Sequence, residues 1–211
     1  LTGPQASIKS LIYMNKILLV FILSISFSSC QTIPYAQIPI IIKTAVIGAD
    51  DIVISDQVIE AREFSFIKVK IGKDFIAILS LVSINDGVFN WISSTGEHIF
   101  TFNGKVIKTT GLPHNIHVYS YKSFSCELSN QGSINYDLML DNPKAFISQA
   151  AEISYNSPIP KKCTEKIVTN GFSWSSKNYY TYDANDLPLN TTQSIHPKLP
   201  IIQIEFFYKY K

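Results

Sequence analysis

Three cysteines are the residues of this 211-residue chain best placed to do chemistry. Cys30 stands directly behind two small residues, Ser28-Ser29, and a thiol there can form a thioether to diacylglycerol. Cys126 and Cys163 are the other two. In an oxidising compartment they can form a disulfide worth roughly 2–4 kcal/mol, or they remain two buried free thiols. His114 and His117 offer two imidazoles three positions apart. No His-Glu-x-x-His or Cys-x-x-Cys accompanies them, so a pair of loop histidines is expected and no metal site. Gly171-Phe172-Ser173-Trp174-Ser175 lacks the second glycine of a nucleophile elbow. Asp50, Asp51 and Asp56 gather at the start of an expected element, where capping or solvent accounts for them better than a glycosidase pair. Glycine-rich phosphate loops are absent, so no cofactor is expected. Trp91, Trp174, Tyr179, Tyr180 and Tyr182 could offer ring faces to a glycan or partner. Alternation along strands would turn half of them into the core instead.

The segment ahead of Cys30 explains why that thiol matters. Met14-Asn15-Lys16 opens a short charged region, Ile17–Leu23 is unbroken apolar sequence, and Ser24–Ser29 lead to the cysteine. This is the pattern of a secretory signal peptide over residues 1–29. Its apolar run of 11 residues, Ile17–Phe27, falls short of the roughly 20 that span a bilayer. Phe27-Ser28-Ser29-Cys30 resembles a bacterial lipobox, with Phe27 where Leu is usual. Acylation at Cys30 and on the freed amine would anchor the chain, at about 0.8 kcal/mol per buried methylene. Gln31, in place of Asp, implies transfer to the outer membrane. Residues 1–13 read as an overcalled gene start, because Met14 begins a well-proportioned signal peptide.

The rest of the chain is uncharged overall. Of 18 basic residues, Lys9 and Lys16 precede Cys30, leaving 16 against 16 acidic ones. A nucleic-acid binder would show a basic footprint, and none is visible. Residues 30–48 contain Pro34 and Pro39 and read as a lipidated tether, with a first structured segment at 38–47. Residues 49–211 read as one β-rich periplasmic domain. Strands are expected over 64–71, 75–84, 88–93, 98–102 and 105–109, joined by Asp86-Gly87 and Asn103-Gly104, both strong hairpin signals. Further strands are expected at 118–127, 134–140, 174–183 and 201–210. Residues 143–151 suggest one or two helical turns, and 50–59 a short helix or strand entry capped by Ser55 or Asp56. The fold class is mainly antiparallel β, a sandwich or partly open barrel with one or two short helices.

Two stretches are recognisable as text. Asn85-Asp86-Gly87, Trp91, Ser94-Thr95-Gly96-Glu97 and Phe102–Leu112 form the first; Asn178–Asp183 followed by Ser194–Glu205 forms the second. Together they resemble the YjbF/GfcB family of group 4 capsule polysaccharide lipoproteins. Lys105 stands where that pattern commonly has Arg, and Thr95 where it has Asp. The resemblance implies a largely β lipoprotein on the periplasmic side of the outer membrane, encoded with capsule or exopolysaccharide secretion genes, and carries no established catalytic activity across. The expected role is a non-enzymatic accessory factor contacting polymer or export proteins. The alternatives are a periplasmic hydrolase or transferase acting on the polymer, and a module that pairs a partner at an exposed β edge.

Overall fold

The structure is a computed structural model that describes residues 51–126, 133–158, 160–169, 171 and 173–209. The expected signal peptide, Cys30, Asp50 and the expected segment at 38–47 lie outside the described residues. All described residues fall in one compact unit, Thr44–Lys211.

Twelve strands follow one another around the unit: β1 (Phe66–Ile71), β2 (Phe75–Asn85), β3 (Val88–Ile92), β4 (His98–Phe102), β5 (Lys105–Thr110), β6 (Ile116–Tyr119), β7 (Ile134–Asp141), β8 (Lys144–Pro158), β9 (Lys161–Thr169), β10 (Ser175–Tyr182), β11 (Pro188–Gln193) and β12 (Ile202–Phe207). Each pairs antiparallel with its neighbours in sequence, and β12 pairs with β1, so the sheet closes into a barrel. A single register joins the ends, from Phe66↔Phe207 to Ile71↔Ile202. One short helix, α1 (Asp56–Ala61), precedes β1. Ser55 holds its N-cap position in extended backbone but makes no side-chain cap bond, and Asp56 sits in the first turn.

Alternation decides which face of each strand is inside. On β9, Cys163, Glu165 and Ile167 are buried while Lys162, Lys166 and Val168 are exposed. On β12, Ile202, Ile204 and Phe206 are buried and Gln203 and Glu205 face water. An apolar interior under a largely polar exterior is the reverse of a membrane-spanning barrel. Large side chains fill it, with Trp91, Tyr136, Tyr180 and Phe124 almost wholly enclosed. Outside, Lys68 on β1 is held by Asp51 at 2.9 Å and by Glu205 at 3.2 Å.

Two expectations fail locally. Residues 144–151 are strand, not helix. Their Lys and Ala favour helix, but β7 pairs with the whole segment and β9 takes its other edge from Gln149 on, and pairing outweighs propensity. The strand expected over 118–127 ends at Tyr119; Ser120 turns left-handed at φ 58° and a 3-10 turn, Tyr121–Ser123, carries Phe124 into the interior. The closed ring gives every strand a partner on each side, although Lys144–Ser148 of β8 pair with β7 alone.

Candidate functional site

The Asn103-Gly104 turn is the place where the barrel crosses itself. A register shift between Phe100 and Thr101 and a single β5–β6 pair, Lys108↔His117, free the start of β5 to lean inward. There it meets β11 on the far wall. Gln193 Oε1 accepts the Val106 N–H at 2.9 Å, and its Nε2 donates to the Gly104 carbonyl at 2.8 Å and to Thr191 Oγ1 at 3.0 Å. Gly104 has φ +79°, and a Cβ there would lie 3.0 Å from Pro188 and 3.1 Å from Thr191. Only glycine meets both demands. Tyr182 adds a bond of 2.9 Å from its hydroxyl to the Asn103 carbonyl.

This lean delivers Lys105 to Glu165. Nζ and Oε1 are 2.6 Å apart, with Lys105 4% and Glu165 0% exposed. The other carboxylate oxygen accepts from Tyr180 Oη at 2.8 Å and Asn178 Nδ2 at 2.9 Å. Nζ also lies 4.3 Å above the Tyr136 ring and 5.3 Å from that of Phe124. Burial, and then the Glu165 charge, push the Tyr180 and Tyr136 pKa values far up, so both phenols stay protonated. The cluster is sealed from solvent and has its charge paired and bonded. What it does chemically is clamp β5, β9 and β10 together.

Both barrel mouths are plugged by loops. At one, Cys126 is joined to Cys163 of β9 by a disulfide, which ties the loop carrying Phe124 to the wall; the Phe124 ring is 4.8 Å from that of Tyr180. At the other, the segment after β11 turns inward. Gln149 Nε2 donates to the Ile195 carbonyl at 2.8 Å, and His196 Nδ1 accepts the Lys198 N–H at 3.2 Å. Burial, then Lys198, lowers the His196 pKa. The two recognisable sequence stretches meet here: Leu112, Pro113 and His114 line an apolar cleft of about 220 Å³ together with Leu199 and Pro200.

The five aromatic candidates separate by strand geometry. Trp91 is fully buried, its indole N–H donating to Thr101 Oγ1 at 2.9 Å. Tyr180 and Tyr182 face inward on β10 and are buried as well. These three leave the set of surface contacts, because they occupy inward positions of their strands. Tyr179, between two inward residues, is 52% exposed. Trp174 is half-buried beside His196, with 6.4 Å between ring centres. His114 and His117 part company: His114 Nδ1 lies 2.6 Å from the Asn142 carbonyl oxygen, whereas His117 stacks on Tyr119. Among the described residues no three His, Cys, Asp or Glu side chains gather as a metal site. Asp51 pairs with Lys68, and Asp56 sits in the first turn of α1. Glu165 and Gln193 escaped the sequence reading. An inward-facing Glu in Cys163-x-Glu165-x-Ile167 was the available signal.

Comparison with known proteins agrees with this architecture. The hypothetical lipoprotein YmcC from Escherichia coli (K12) superposes with a TM-score of 0.65 at 15% identity, covering 87% of this chain and 99% of its own. At that identity the likeness speaks for the fold alone. No curated protein matches the chain. The family described as group 4 capsule polysaccharide lipoprotein GfcB, YjbF matches residues 41–207, which spans every strand of the barrel. The chain belongs to the YjbF family of capsule polysaccharide lipoproteins.

Proposed function

We propose that the protein is a lipid-anchored, non-enzymatic accessory factor of capsule or exopolysaccharide production, held on the periplasmic side of the outer membrane. There it contacts the polymer or the export machinery. The family match over 41–207 carries this reading, and the lipobox ending in Cys30 supplies the anchor. The interior is consistent with a scaffold: its one fully buried carboxylate among the described residues, Glu165, is neutralised by Lys105 and bonded by Tyr180 and Asn178. A carboxylate sealed from solvent and held by three donors is poorly placed to act as a general acid or base.

The test has two parts. Mass spectrometry of the membrane-fraction protein should find an acylated N-terminal Cys30. A strain lacking the gene should export less surface polysaccharide, restored by the unaltered gene and not by Cys30→Ala. Normal polysaccharide export in the deletion strain would reject the role.

A further inference from the structure

Four separate pieces of chain meet at the barrel mouth tied by the disulfide. They are the β4–β5 turn at Asn103, the pair Ser125-Cys126, the start of β9 at Lys161, and the β10–β11 turn at Asp186. Between them lies a cleft of about 170 Å³, lined by these residues and by Tyr182. Each wall has its own brace. Asp183 Oδ1 accepts the N–H groups of Asn185 and Leu187 at 2.8 and 3.0 Å, which fixes the β10–β11 turn. Tyr182 Oη holds the β4–β5 turn through the Asn103 carbonyl, and the disulfide fixes Cys126. The cleft is therefore built before any ligand arrives.

Its polar lining combines donor and acceptor. Lys161 Nζ donates to Asp186 Oδ1 at 2.6 Å, and Asn103 Nδ2 donates to the Phe124 carbonyl at 3.3 Å. Asp186 and Asn103 each keep a side-chain oxygen that can accept another bond. Both residues have left-handed backbone, at φ 61° and 48°, so the turns alone account for a short polar side chain at each. The turns do not account for an ammonium group set against Asp186. Stability does not account for it either, since an ion pair open to water on one side contributes little.

Chemistry decides what fits. The lining carries one positive and one negative charge, so an anion would meet Asp186 and a cation would meet Lys161. An apolar group would strip water from both and return no bonds. A hydroxyl both donates and accepts, so it can replace the water bonds on either side. The volume equals the share of about six waters, on the scale of one sugar ring.

We propose that this cleft binds one neutral, hydroxyl-rich sugar unit of the polymer, with Asp186 and Asn103 accepting from its hydroxyls while Lys161 donates to one. The proposal rests on the polymer-contacting reading above and gives it a site.

The test is ligand-observed NMR on the full chain purified in detergent. The probes are oligosaccharides released by mild acid from the surface polysaccharide of the strain that encodes the protein, with trigalacturonate as an anionic control. The oligosaccharides should bind, and trigalacturonate should bind more weakly. Asp186→Asn and Lys161→Gln should each weaken oligosaccharide binding by about tenfold. Lys162→Gln, the same change one position along β9, should leave it unaltered. Asn at 186 tolerates the left-handed turn, and circular dichroism checks that every variant folds. No binding by the unaltered chain, or equal binding of trigalacturonate, overturns the proposal. Binding that survives in both cleft variants overturns the site and leaves polymer contact on another surface standing. Normal export in the deletion strain rejects the role whatever the cleft binds, so the two ideas fail separately.

Discussion

Lys105 and Glu165 are 60 positions apart in sequence and 2.6 Å apart inside the barrel. The water stripped from a buried ion pair is repaid only by the partner's charge, so losing one partner, which leaves the other charge enclosed and unpaired, is worse than losing both. Lys105→Met should therefore destabilise the protein by roughly 3–5 kcal/mol, with Glu165 left charged and enclosed. Lys105→Met combined with Glu165→Leu should recover much of that loss. By contrast, Lys161→Ala at the more exposed pair with Asp186 should cost less than about 1 kcal/mol. Urea unfolding of the three variants measures the ranking; equal losses would mean that the clamp is not held by this pair.

Gly104→Ala tests the crossing directly. Strain at positive φ and contact with Pro188 and Thr191 should together cost about 1–3 kcal/mol. Gly96→Ala, at φ +95° with nothing within 4 Å of the added carbon, isolates the strain alone and should cost less. Thermal unfolding of both variants gives the comparison.

The Cys126–Cys163 bond closes a separation of 37 residues. Replacing both cysteines with Ser should lower stability by roughly 2–4 kcal/mol, chiefly through a freer unfolded chain. Since the bond also holds the Phe124 plug, exchange of the amides near Phe124 should quicken in the variant beyond the global effect. Hydrogen exchange with mass readout would detect it, and uniform quickening would dismiss the plug.

His196 gives the barrel a pH dependence whose sign follows from its lowered pKa. The unfolded imidazole takes a proton near its ordinary 6.5, while the folded one takes it only at lower pH. Stability from this group is therefore complete above 6.5 and declines as pH falls through the folded value. Protonation also removes Nδ1 as acceptor for the Lys198 N–H. His196→Gln should lose less stability than the unaltered protein between pH 7.5 and 5, measured by urea midpoints; parallel curves would contradict this.

Short-range signals in the sequence were legible because they act locally. Asp86 and Asn103 take the left-handed backbone, at φ 50° and 48°, that their Asp-Gly and Asn-Gly turns demand, and the strands beside them form as alternation requires. β11 was not legible, since Pro188-Leu-Asn-Thr-Thr-Gln has only one aliphatic side chain after its proline. Its inward residue Gln193 is fixed by backbone groups of β5, far away in sequence. The same holds for Glu165, whose partner Lys105 becomes visible only once β5 leans across. The aromatic candidates were undecidable for another reason: Tyr179 and Tyr180 are chemically identical neighbours, and only the sheet distinguishes outside from inside.

Closure of the ring by β12 gives its six residues, Ile202–Phe207, a protective duty. A chain cut short before Ile202 would expose the backbones of β1 and β11 as two bare templates, each able to recruit strands from other molecules. The ring can be completed only after the last part of the chain has emerged, because its first strand must wait for its final one. Until β12 docks, both of those edges stay open to other chains, and its pairing with β1 and β11 removes them together.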